Sequence, residues 1–317
     1  MRIIILGYTG LIGSSILENL ANNPSLDLVC VGRNIKNKLY RGERIKYFKW
    51  DFITFKEKKL PFLKKANIIV NCVGKTNNNK NNLEYINFIF IKNLLNYIKT
   101  YQSKVRLIHL SSVAVYGGAE NYLNLSKIIT ENTATRTNNL YSKNKLKGDM
   151  LIKNVTKRNL NKNLSFTILR ISNVFGEKKN SNLYRFVMFT LKIGFWIKTS
   201  NEIMHNFVHV KDVSQAVSLI VSKLKVSRNK TYIVSDDFKQ YELYDFYRKL
   251  YKKKIINILF PISVIKFLIY FFPIPKIILN FFLIISSRVT YSNKKIRKEL
   301  NFNPKFSLLK KIKLPNE

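Results

Sequence analysis

Acidic residues are scarce in this sequence. Only 18 Asp and Glu stand against 56 Lys and Arg, a formal net charge of +38 over 317 residues. Such a balance draws anions, whether diphosphate-bearing small molecules, anionic lipid or nucleic acid. The basic residues run along the whole chain and form no recognisable nucleic-acid module, so nucleic acid is not an expected partner. Cysteine is scarcer still, with Cys30 and Cys72 alone. Each lies in an apolar run that reads as a buried strand. They offer no disulfide framework and no metal cluster, and they suit a cytoplasmic compartment. No secretory signal is expected either, because residues 7–13 interrupt the first apolar run with glycines. There is no Gly/Ser-rich linker and no internal repeat. A long unbroken apolar run is also lacking. Residues 255–285 are strongly apolar, yet Pro261, Pro273, Pro275, Lys266 and Lys276 break them. A spanning helix needs about 20 uninterrupted residues. The segment reads as two short apolar helices meeting at Pro273-Ile274-Pro275. Two uses stay open: covering the core of a small lobe, or lying in the plane of a membrane at its inner face.

What is present is a core-forming pattern. Hydrophobic residues make up 46% of the chain, enough for a packed interior. Apolar strands are expected at residues 3–6, 28–31, 47–49, 68–72, 107–111 and 165–170. Helices are expected at 11–22, 84–101 and 141–158. Unbroken apolar strands with helical crossovers predict an α/β fold, a parallel sheet covered on both faces. Beyond residue 175 the pattern loosens. A helix near 182–195, a strand at 207–210, a helix over 211–224 and a strand at 231–235 predict a smaller lobe that closes a cleft. The expected division is 1–175 and 176–317, the two parts intertwined.

Three motifs carry chemistry. Gly7-Tyr8-Thr9-Gly10-Leu11-Ile12-Gly13 follows a strand and opens a helix. The glycines serve a tight turn, a close approach to a pyrophosphate and close helix–strand packing. The helix N-terminus then faces the phosphates. Tyr141 and Lys145 lie one helical turn apart on one face. A nearby ammonium favours phenolate, so the lysine is expected to lower the tyrosine pKa. Such a tyrosine can exchange a proton with a sugar hydroxyl. Ser111-Ser112-Val113-Ala114-Val115-Tyr116-Gly117 ends a strand, where open parallel sheets place their ligands. Ser112 there can orient a reacting oxygen.

With these motifs the chain resembles the extended short-chain dehydrogenase/reductases of the NAD-dependent epimerase/dehydratase family. Asn71-Cys72-Val73-Gly74, Asp51, the run 169–176 and Asn-Phe-Val-His-Val-Lys-Asp at 206–212 extend the likeness over nearly the whole chain. The resemblance implies a Rossmann-type doubly wound parallel sheet with a smaller C-terminal substrate lobe. It implies Ser112, Tyr141 and Lys145 as the catalytic set. It implies a cofactor cradle of Gly7, Thr9, Gly10, Leu11, Ile12, Gly13, Arg33, Asp51, Phe52, Val73 and Gly74, joined by Tyr141 and Lys145. Tyr116 and Asn173 would meet the substrate beside Ser112, and His209 would organise the lobe. Homodimers are common among such relatives.

The sequence also departs from the family pattern. The second strand ends Val31-Gly32-Arg33-Asn34, with an arginine where NAD-preferring members carry an acid. The cofactor is therefore NAD or NADP, with Arg33 tilting the expectation to NADP. His205 stands where many relatives place an arginine against a nucleotide diphosphate, and Arg288 is the candidate replacement. Phe90 stands where glycine is common. Ser112-Val113-Ala114 lacks the acid pair of the family's dehydratases. The C-terminal region looks like that of bacterial surface-polysaccharide enzymes, some of which act on polyprenyl-diphosphate sugars. The implied function is a 4-epimerase of a UDP-hexose or N-acetylhexosamine, or of its lipid-linked form. A 4-keto-sugar reductase using NADPH is the alternative enzyme. A non-catalytic dinucleotide-binding protein is the alternative of another class.

Overall fold

The computed structural model describes residues 1–35, 40, 42–54, 60–76, 80–101, 104–117, 127–157, 163–176, 194–198, 202–251, 256–259, 263–264, 267, 271 and 287–306. The first strand, β1 (Arg2–Leu6), is a run of isoleucines buried on both sides, as a central parallel strand requires. Helix α1 (Leu11–Ala21) follows, then β2 (Asp27–Gly32), β3 (Ile45–Lys49) and β4 (Ile68–Asn71). Helix α2 (Lys80–Glu84) runs through a π-helical turn, Tyr85–Ile89, into α3 (Phe90–Tyr101). Next come β5 (Val105–Ser112), β6 (Lys127–Ile129), α4 (Leu140–Lys157), β7 (Leu164–Ile171) and β8 (Asn173–Phe175). The later part holds β9 (Phe195–Lys198), β10 (Met204–His205), β11 (Phe207–His209), α5 (Val210–Ser222), β12 (Lys230–Val234) and β13 (Phe238–Lys239). Helix α6 (Gln240–Tyr251), β14 (Ile256–Leu259), β15 (Val289–Tyr291) and α7 (Lys294–Leu300) complete the described elements.

Seven parallel strands form the main sheet, in the order β12-β7-β5-β4-β1-β2-β3. The period of two along each strand divides the core. Ile3 and Ile5 pack with Leu17 of α1 and Val213 and Val217 of α5. Ile4 and Leu6 pack on the other face with Leu94 and Ile98 of α3 and Ile152 of α4. Each fully buried aliphatic side chain contributes about 1.5–3 kcal/mol. The order reverses between β1 and β4, so the carboxyl ends of these strands open a crevice.

Two expectations need correcting. The strand expected at 231–235 in the smaller lobe is β12, paired in parallel with β7 in the main sheet. Tyr232, Ile233 and Val234 are all buried, so it has the same two-sided apolar pattern as the other sheet strands. Helix α5 likewise packs on α1 rather than in a separate lobe. The single helix expected over 84–101 is interrupted by the π-helical turn, which buries Asn87. The helix expected near 182–195 and most of 255–285 lie outside the described residues. No described helix is long and apolar enough to cross a membrane.

Candidate active site

The phosphate-cradling turn is built by glycine. Gly7 has φ +82°, and a Cβ on Gly13 would sit 2.3 Å from the Gly7 carbonyl oxygen. That close packing starts α1 beside the carboxyl end of β1. Residues 10–13 form one end of a cavity of about 930 Å³ that runs past the ends of β4, β5 and β7. The residues here fit a dinucleotide: a side-chain-free turn leads into a helix N-terminus, whose free N–H groups favour a diphosphate. Thr9 is exposed on the same turn.

Further along the cavity, Ser112, Tyr141 and Lys145 come together. Asn139, two residues before Tyr141, stands just ahead of helix α4 as its cap. The Asn139 side chain accepts from the Ser142 N–H at 2.9 Å, and the Ser142 hydroxyl accepts from the Asn139 N–H at 3.3 Å. This reciprocal cap fixes the first turn and so the direction of Tyr141. Ser112 caps the short 3₁₀ turn Val113–Tyr116, its Oγ accepting from the Ala114 N–H at 3.2 Å. Its hydroxyl stands close enough to the Tyr141 phenol to lower that group's pKa. Lys145 is 4% exposed and donates to the Leu110 carbonyl at 3.0 Å. A Cβ on Gly74 would lie 3.1 Å from the Lys145 ammonium, so this glycine keeps the approach open.

The electrostatics differ from the sequence expectation. Burial pushes the Tyr141 phenol above its ordinary value; the Ser112 hydroxyl pulls it down and Asp149 raises it further. Lys145 is not among the groups that shift it. The reason is position: the ammonium is turned to Leu110, and burial pushes its own pKa down to about 8.

Other expected residues are less central. Val73 is held by its N–H on the Asn71 side chain at 3.0 Å, beside the cavity-lining Gly74. Arg33 is exposed at the end of β2, and Asp51 is exposed after β3, accepting from the Ile53 N–H at 3.1 Å. Phe52 is buried edge-on against Phe90, ring centroids 5.2 Å apart, so Phe90 is a packing change. Asn173 lines the cavity, its amide donating to the Asn206 carbonyl at 3.2 Å. Tyr116 does not line it. Its phenol is fully buried and accepts from Arg170 at 2.7 Å. Arg288 does not line it either; its guanidinium lies 3.3 Å from Glu202. His209 caps α5, its Nδ1 accepting from the Lys211 N–H, and it stacks on Phe306.

Sequence reasoning missed the support beneath this set. Arg170 is paired with Asp149 at 3.0 Å, both buried. Asp149 lies one turn beyond Lys145 on α4. His109 approaches Asp149 at 3.9 Å, but burial and Lys145 push its pKa far down, so this is no ion pair. Asn87 brackets Lys75, donating to its carbonyl at 2.8 Å and accepting from its N–H at 3.2 Å. No cluster of three metal-ligating side chains occurs among the described residues.

A glycine-cradled helix N-terminus at the sheet's carboxyl edge, with Ser, Tyr and Lys beside it, defines a dinucleotide-binding α/β enzyme. The sequence profile of the NAD dependent epimerase/dehydratase family matches residues 3–235, and the chain belongs to that family. A curated relative, the ADP-L-glycero-D-manno-heptose-6-epimerase of Brachyspira hyodysenteriae, is 28% identical over 230 residues, 67% of this chain and 69% of the relative. The solved UDP-glucuronic acid 4-epimerase of Bacillus cereus, in complex with NAD, superposes with a TM-score of 0.73 at 16% identity. That match covers 98% of this chain and 95% of the epimerase. The UDP-Glc/GlcNAc 4-epimerase of Campylobacter jejuni gives 0.73 at 18% identity, covering 97% and 95%. These superpositions share the fold.

Proposed function

We propose that the protein is a 4-epimerase of a UDP-linked hexose or N-acetylhexosamine, or of its polyprenyl-diphosphate form, in surface polysaccharide synthesis. The observation that carries this reading is the convergence of Ser112, Tyr141 and Lys145 on one cavity whose far end is the glycine cradle. The 4-epimerases among the fold neighbours support it. The lack of an acid pair after Ser112 sets it apart from the dehydratases.

The nicotinamide dinucleotide, when bound, supplies the site that accepts and returns a hydride. Residues 7–13 would hold its diphosphate, and Gly74 and Lys145 its ribose. Ser112 would orient the sugar hydroxyl. Tyr141 would take the hydroxyl proton and give it back, holding it at the phenol oxygen in between. Burial raises the phenol pKa, so little phenolate is present at rest, and the Ser112 hydroxyl offsets part of that shift.

Arg33 favours a second reading. It stands exposed at the end of β2, where a cation suits a 2′-phosphate. With NADPH the same residues would run one way, as a 4-keto-sugar reductase. A cytoplasmic enzyme that touches the inner membrane face through residues 255–285, and that pairs as a homodimer, completes the proposal. The deciding experiment is mass spectrometry of the cofactor released from purified, gently denatured protein. Near-stoichiometric NAD or NADH supports the epimerase. Reversible binding of NADPH to an otherwise empty protein supports the reductase. Binding of neither removes both.

A further inference from the structure

The cavity continues beyond Tyr141 to a wall formed by β10, β11 and β15. Its composition is unexpected in a chain of net charge +38. Among the described lining residues the only ionisable cations are Lys75 and Lys145, and both lie on the glycine-cradle side. The opposite wall presents Asn173, His205, Asn206, Phe207 and Tyr291. Arg288, which stands next to two lining residues in sequence, is turned to Glu202.

His205 is the least satisfied group of that wall. It is 6% exposed, and its Nε2 has no hydrogen-bond partner among the described residues. Aromatic rings surround it: Phe207 at 6.2 Å and Phe238 at 5.9 Å between centroids. The pairing of β10 with β13 sets His205 opposite Phe238. Burial in this setting pushes its pKa down to about 4, so the imidazole is neutral at physiological pH. Ser172, on the same cavity, likewise keeps a buried hydroxyl without a partner. Buried polar groups in folded proteins are almost always paired, with protein, water or ligand. A neutral imidazole beside a stacked pair of phenyl rings is a poor seat for a phosphate, whose charge it cannot balance. It is a good seat for an uncharged group that both fills the space and completes a hydrogen bond.

We propose that His205 is a specificity-determining residue that takes an uncharged hydroxyl or amide of the sugar substrate, rather than its diphosphate, through Nε2. This inference rests on the function proposed above. A site built around a buried hydrogen-bonding group discriminates strongly against ligands that leave it unpaired. The substrate's diphosphate is then held without the side chain at position 205.

The test uses the full chain with NAD bound and measures affinity by calorimetry for three probes: UDP, UDP-glucose and UDP-N-acetylglucosamine. Three variants are compared with the wild type: His205→Leu, His205→Gln and His205→Arg. The wild type is expected to bind at least one UDP-sugar more tightly than UDP. In His205→Leu that preference should fall about 10-fold or more, with UDP affinity within about 2-fold of wild type. His205→Gln, which keeps a neutral hydrogen-bonding group, should recover most of it. Preserved UDP affinity shows that the variant is folded. Equal loss for UDP and UDP-sugar would overturn the proposal, by placing His205 on the diphosphate. Tighter UDP binding by His205→Arg would overturn it for the same reason. Unchanged affinities in every variant would also overturn it, leaving a bound water as the partner of Nε2. A wild type that binds NAD but none of the probes would remove the UDP-sugar form of the proposed function and this inference with it, before any variant is compared.

Discussion

Arg170 and Asp149 form a buried ion pair, guanidinium to carboxylate at 3.0 Å, with both side chains at most 3% exposed. The pair ties strand β7 to the helix that carries Tyr141 and Lys145. A second guanidinium nitrogen donates to the Tyr116 phenol, and the guanidinium carbon lies 4.8 Å from the centre of that ring. Removing one partner strands the other charge away from water. Arg170→Leu should therefore cost about 3–5 kcal/mol. Urea denaturation followed by circular dichroism checks this, and a cost near zero would show that water reaches Asp149.

Tyr141→Phe keeps the ring and deletes the oxygen proposed to carry the proton. Turnover of a UDP-sugar should drop about 10²- to 10⁴-fold. The bound dinucleotide, measured by absorbance after denaturation, should stay at the wild-type level. Retained turnover would show that Tyr141 does not carry the proton.

Lys145 provides a pH prediction with a definite sign. Its folded-state pKa is about 8, against 10.5 for the exposed group. Between those values the unfolded chain binds more protons than the folded one. The contribution of Lys145 is thus unfavourable at pH 7 and is relieved as pH rises through 8 to 10.5. Lys145→Met should raise stability at pH 7 by about 1–3 kcal/mol, a gain that shrinks towards pH 10. Activity should be lost in the same variant. Thermal melts at the two pH values, compared with wild type, read the difference.

Gly13→Ala tests the cradle. The added methyl would meet the Gly7 carbonyl oxygen at 2.3 Å, and backbone atoms cannot give way cheaply. Dinucleotide affinity should fall about 10-fold or more, and the melting temperature should fall with it. Fluorescence titration with NADH measures the first effect.

The membrane proposal has its own test. Phe267 and Phe271 are more than half exposed and their ring centroids are 4.6 Å apart. Paired exposed aromatics on a strongly basic chain suit an anionic bilayer surface. The protein should sediment with phosphatidylserine-containing vesicles and leave them at high salt. Phe267→Ser with Phe271→Ser should weaken binding. Indifference to the vesicles would remove this part of the proposal.

Much of the site was legible because its signals are local. Gly7 and Gly13 mark a turn that only glycine builds, directly after the isoleucines of β1. Tyr141 and Lys145 announce a shared helix face by their spacing. Other features depend on register and could not be read this way. Tyr116 follows Ser112 closely enough to look like a substrate contact. It is the pairing of β5 with β7 that brings Arg170 within reach of its phenol. The lowering of the Tyr141 pKa by Lys145 was inferred from sequence spacing, but the ammonium points to Leu110 instead. His205 was visible as an unusual residue, while its burial among Phe207 and Phe238 is a tertiary fact.

The return of the chain to the main sheet at β12 has a practical consequence. Strand β7 is an interior strand only because residues 230–234 lie beside it. A fragment ending at residue 175 would keep the glycine cradle, Ser112, Tyr141 and Lys145, yet it would present β7 as a long apolar edge. Such edges recruit other chains. The half that looks self-sufficient in sequence would thus be prone to self-association, and the candidate catalytic residues and the solubility of the fold cannot be separated by cutting the chain in two.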